Sequence, residues 1–105
     1  MTEAISHAPQ IRQNLPRDKT VSYGDDFSLV VRFAGAPEFV TWWEKPSNAR
    51  VQIERPNSYT SVLRVYNASF SHSGDYQFIV SNDYGKKTSK RCSVQVQEES
   101  RCVLL

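Results

Sequence analysis

Three short stretches of this chain carry residue types that could do chemistry. Ser71-His72-Ser73 sets an imidazole between two hydroxyls, the pieces of a base-activated nucleophile. The stretch reads as a turn, and sequence neighbours seldom converge as nucleophile and base. Cys92 and Cys102 are the two cysteines. A bridge between them would close only a small loop and would not staple a fold. There is no CxxC pair, no His/Cys spacing suited to zinc, and His7 lies far from His72. No phosphate-cradling glycine loop is present. These observations point away from an enzyme, a metal site or a cofactor, and toward free thiols in a reducing compartment.

Two further motifs concern covalent modification. Asn67-Ala68-Ser69 fits the N-glycosylation sequon. It reads as a turn asparagine, and glycosylation would matter only in a secreted chain. Cys102-Val103-Leu104-Leu105 fits the C-a-a-X prenylation pattern, with Leu favouring geranylgeranyl. Cys102 becomes a lipid acceptor, and a membrane becomes a partner, only if Leu105 is the natural end. The upstream Glu98-Glu99-Ser100-Arg101 adds no polybasic support.

The elements that position these residues follow from periodicity. The chain has 105 residues, 39% hydrophobic and 23% charged, with a net charge of +2. That suits one folded domain and directs no strong field toward nucleic acid. Met1 to Gln10 contain no apolar leader, and no apolar run is long enough to span a bilayer. A cytoplasmic protein is expected, unless a leader has been removed.

Short runs alternate polar and apolar residues between turns, with no sustained helical period, so an all-β antiparallel sandwich is predicted. Phe27, Leu29, Val31 and Phe33 share one face. Leu63 and Val65 point inward from the next clear run. So do Tyr76, Phe78 and Val80, and then Cys92, Val94 and Val96. In Phe39 to Trp43, Val40 and Trp42 are assigned to one side, with Trp42 in the core. Asn82 to Gly85 is a hairpin turn. Residues 1–8 are expected to be a flexible segment, 9–97 the domain and 98–105 a tail.

In this order and spacing, Pro9 to Val96 resembles an immunoglobulin domain of the intermediate (I-set) type. Leu29-x-Val31 with Gly35-x-Pro37 resembles strand B and its loop. Trp42 is placed at the buried strand-C tryptophan. Ser61-x-Leu63-x-Val65 resembles strand E. Gly74-Asp75-Tyr76 resembles the tyrosine corner, and Cys92-x-Val94-x-Val96 resembles strand G. The resemblance implies a core of Val31, Trp42, Leu63, Tyr76 and Phe78.

Three departures stand out. The two disulfide cysteines of the family fall at Val31 and Phe78, so no bridge joins the sheets. Trp43 to Arg50 is short for a C′ strand. His72 replaces the Asp that usually opens the corner, which removes that Asp's ion pair to an Arg at the start of strand D, although Arg50 is present. A lost bridge costs about 2–4 kcal/mol, and burying an apolar side chain returns about 1.5–3 kcal/mol. An apolar pair can therefore stand in where the bridge would be reduced. Intracellular domains of the titin, twitchin, obscurin and myosin-binding protein families resemble this pattern.

The resemblance implies a non-enzymatic protein-binding or spacer module of a cytoskeletal or sarcomeric protein. The alternatives are an extracellular adhesion or receptor domain, or a small prenylated adaptor. Trp43 and Ile79, assigned to the solvent face of the C–F–G sheet, and Tyr84 at the hairpin tip are the candidate partner contacts.

Overall fold

The computed structural model describes residues 7–98. Nine strands follow one another: β1 (Gln10–Gln13), β2 (Asp18–Ser22), β3 (Phe27–Ala34), β4 (Val40–Glu44), β5 (Gln52–Asn57), β6 (Thr60–Val65), β7 (Gly74–Asn82), β8 (Gly85–Thr88) and β9 (Cys92–Gln97). One 3₁₀ turn, Phe70–His72, precedes β7. The first sheet has the order β1-β3-β6-β5. The second has the order β2-β9-β7-β4, with β8 also on β7. All pairings are antiparallel except β2 with β9.

The core lies between the sheets and comes from alternation. Phe27, Leu29, Val31 and Phe33 are buried along β3, as are Leu63 and Val65 on β6, Tyr76, Phe78 and Val80 on β7, and Cys92, Val94 and Val96 on β9. Phe33 sits 5.4 Å from Phe78 and 5.0 Å from Phe39, ring to ring. Cys92 is a free, buried thiol. Burial pushes its ionisation up; Lys19 opposes this to a smaller extent, and Asp18 and Asp75 add to it. No disulfide joins the sheets among the described residues.

His7 and Ala8, expected within the flexible N-terminal segment, are held in place. The His7 carbonyl accepts from Ala36 N–H and from Asn82 Nδ2, and the His7 ring lies 4.8 Å from Tyr84. Gly35 makes this possible. It sits at φ +137°, and a Cβ there would come within 2.9 Å of the Ala8 carbonyl oxygen.

The last strand of the fold is broken at Ser89, between β8 and β9. Its buried hydroxyl accepts from Phe78 N–H (2.9 Å) and donates to the Lys90 carbonyl (2.9 Å), while its own N–H donates to the Phe78 carbonyl (2.8 Å). A side-chain oxygen thus replaces the backbone acceptor that the ladder lacks there.

Candidate functional site

The surface with the features of a binding site is the outer face and free edge of β4. Its geometry corrects the assignment of the two tryptophans. β4 pairs with β7 in the register Trp42↔Ile79 and Trp43↔Phe78. Cross-strand partners share a face, so Trp43 follows Phe78 into the core and Trp42 follows Ile79 to the outside. Trp43 packs on the core, 5.1 Å from Phe78, and its Nε1–H donates to Ser61 Oγ of the opposite sheet at 3.0 Å. Trp42, expected in the core, is 40% exposed. Trp43, expected as a partner contact, is an inter-sheet anchor. Both phases of Phe39 to Trp43 contain a tryptophan, so alternation fits either. The usable signal was Phe39, an aromatic in the same phase as Trp43.

Ile79 also differs from expectation. It points outward from β7 yet is only 5% exposed. β7 is central at this level, with Trp42 of β4 on one side and Thr88 of β8 on the other, and those neighbours cover it. The outer face therefore offers Val40, 62% exposed, and Trp42, with Ile79 as the floor between strands. Val40 was not among the expected contacts. Tyr84 is exposed at the hairpin tip, stacked on His7.

The Ser71-His72-Ser73 stretch is structural. His72 is buried, with Nδ1 accepting from Ser69 N–H (3.0 Å) and Nε2 2.9 Å from the Arg50 carbonyl oxygen. Only the tautomer with the proton on Nε2 satisfies both. Both nitrogens are then engaged by main-chain groups, with the Ser69 hydroxyl a longer 3.4 Å from Nδ1. The same bond ties the turn before β7 to the segment before β5. It takes the place of the ion pair that His72 cannot make, using the Arg50 main chain instead of its guanidinium. Tyr76 Oη donates to the His72 carbonyl at 2.7 Å and completes the corner. Burial, and secondarily the neighbouring Cys92, push the Tyr76 hydroxyl up to about 12. Gly74, at φ +143°, lets Pro46 approach: a Cβ there would stand 2.6 Å from Pro46 Cγ.

Asn67 is exposed in the turn after β6, at φ +59°, its N–H donating to Asp26 Oδ1 at 2.9 Å. Cys102, the lipidation candidate, lies outside the described residues. Among the described residues, no group of acidic, His or Cys side chains could hold a metal ion.

Two facing sheets, a parallel pairing of β2 with the last strand β9 and a tyrosine corner define an immunoglobulin-like sandwich. Residues 9–96 match the immunoglobulin I-set domain, and the chain belongs to that family. The solved titin M3 domain superimposes with a TM-score of 0.77 at 17% identity, covering 89% of this chain and 100% of that one. Titin domains z1z2, solved in complex with telethonin, give 0.77 at 21% identity over 91% of this chain and 51% of that one. At these identities the likeness concerns the fold.

Among curated proteins, the chain is similar to leucine-rich repeats and immunoglobulin-like domains protein 2. The human protein is 33% identical over 60 residues, which is 57% of this chain and 5% of the relative. The mouse protein is 28% identical over 104 residues, which is 86% of this chain and 10% of the relative. The chain thus spans a tenth or less of the curated relatives it matches.

Proposed function

We propose that this domain is a non-enzymatic protein-binding and spacing module of an intracellular, cytoskeletal or sarcomeric protein, and that it engages its partner through the outer face of β4. The observation that carries the binding role is Val40 and Trp42, exposed side by side over the buried Ile79. A large aromatic on an apolar floor is the kind of anchor around which interface energy concentrates. The intracellular assignment is supported by the position of the family's bridge. Val31 and Phe78, at those two sites, are both fully buried, so the sheets are joined by apolar packing that reduction leaves untouched.

The test is localisation. A tagged domain in cultured muscle cells should concentrate on the cytoskeleton, and Trp42→Ala should disperse it at unchanged melting temperature. A diffuse wild-type domain, or a Trp42→Ala variant that localises like wild type, overturns the proposal.

A second reading, an extracellular adhesion or receptor domain, is favoured by the exposed Asn67 of the sequon. Expression through a secretory pathway separates the two readings. A glycosidase-sensitive mass shift lost in Asn67→Gln, together with surface display of the native protein, would favour the extracellular role.

A further inference from the structure

The free edge of β4 is built to receive a strand. β4 pairs with β7 alone, and among the described residues nothing pairs with its other side. The direction of its main-chain groups follows from β7. Both the N–H and the C=O of Phe78 are engaged by Ser89 on the far side. By alternation, Gln77, Ile79 and Ser81 direct their groups at β4, where they meet Glu44, Trp42 and Val40. The N–H and C=O of Thr41 and Trp43 therefore point off the sheet, and among the described residues neither makes a backbone hydrogen bond outside the β4–β7 ladder.

The two sides of this edge differ in chemistry. On the outer side stand Val40, Trp42 and, at the end of the strand, the exposed Glu44. On the inner side the Arg55 guanidinium of β5 reaches the strand. Arg55 Nη1 lies 3.3 Å from Thr41 Oγ1, and its other nitrogens donate to the carbonyls of Thr60 (3.0 Å) and Ser58 (2.8 Å). Lys45, just past the strand, donates to the main-chain carbonyls of Pro46 and Ala49. Among the described residues both cations meet neutral oxygens, Arg55 also lying over the Phe33 ring at 5.3 Å, and no carboxylate pairs with either.

We infer that β4 binds an extended segment of a partner protein whose side chains alternate apolar and acidic. Its backbone would pair with Thr41 and Trp43, its apolar side chains would cover Val40 and Trp42, and its carboxylates would face Arg55 and Lys45. Strand addition supplies affinity through the main chain and selectivity through alternate side chains. This rests on the outer-face reading above and adds the conformation and charge of the partner.

The probe is a short fluorescein-labelled synthetic peptide alternating valine with glutamate, compared with a peptide of the same composition in two blocks. The alternating peptide should bind saturably, shift the amide resonances of Thr41 and Trp43, and bind better than the block peptide. Thr41→Pro removes an N–H that points away from β7, a place where an edge strand tolerates proline. It should weaken binding about tenfold or more. If Thr41→Pro does not fold, N-methylation of alternate peptide amides should abolish binding in one phase and not in the other.

No saturable binding, shifts confined to another surface, equal affinity for the block peptide, or undiminished binding by folded Thr41→Pro would overturn the inference. So would a dimer of the domain alone that Thr41→Pro dissociates, since the occupant would then be a second copy. If Trp42→Ala disperses the domain in cells while the peptide never binds, the outer-face reading stands and strand addition falls.

Discussion

Trp42 and Trp43 are adjacent in sequence and opposite in role. Trp43 closes the space between the sheets, against Phe78 and hydrogen-bonded to Ser61. Trp42 lies on the outside of the same strand, open to solvent beside Val40. Both are indoles on one short strand, and the difference is a single step of a two-residue period. A residue's type sets how much it could contribute by burial, and the strand pairing decides whether it does. The interior indole stabilises the fold. The exterior one flanks Ile79 and leaves 40% of its surface open to solvent.

The largest expected effect tests the interior half of that contrast. Trp43→Ala should destabilise the domain by about 3–5 kcal/mol, because it opens a cavity beside Phe78 and leaves the Ser61 hydroxyl without its donor. Denaturant unfolding measures it, and a loss below about 1 kcal/mol would return Trp42 to the core.

A smaller effect is expected at the corner. Tyr76→Phe removes the hydrogen bond to the His72 carbonyl and should cost about 1 kcal/mol at neutral pH. The Tyr76 hydroxyl, raised from 10.0 to about 12 in the folded protein, holds its proton more tightly there than in the unfolded chain. Its contribution is complete below pH 10 and is lost as the pH rises toward 12. Wild-type melting temperature should fall through that window, and Tyr76→Phe should flatten the decline. Parallel alkaline profiles for the two proteins would show that another group sets it.

The smallest effect tests the exterior half. Trp42→Ala should change stability by no more than about 0.5 kcal/mol. A larger loss would mean that the indole mainly shields Ile79, and the contrast with Trp43 would become one of degree.

Much of the domain was legible in its residues. The buried faces of β3 and β9 come from strict alternation. The chain reversal at Asn82 to Gly85 and the corner at Gly74-Asp75-Tyr76 come from residues with special backbone or hydrogen-bonding properties. Lack of an inter-sheet bridge needed no more than reading Val31 and Phe78 at the two sites.

Local pattern could not settle matters that depend on a neighbouring strand. The phase of β4 was ambiguous because each phase carries a tryptophan, and pairing with Phe78 resolved it. Ile79 alternates outward yet is buried, because β7 happens to be central and Trp42 and Thr88 flank it. His72 looked like a lost ion pair until the fold brought the Arg50 carbonyl, 22 positions away, to its Nε2. Sequence by itself determined which residues are apolar and at what period, and hence that two sheets must face each other. Only tertiary structure decided which side of each strand faces inward and which edge stays open, because those depend on contacts between residues far apart in the chain.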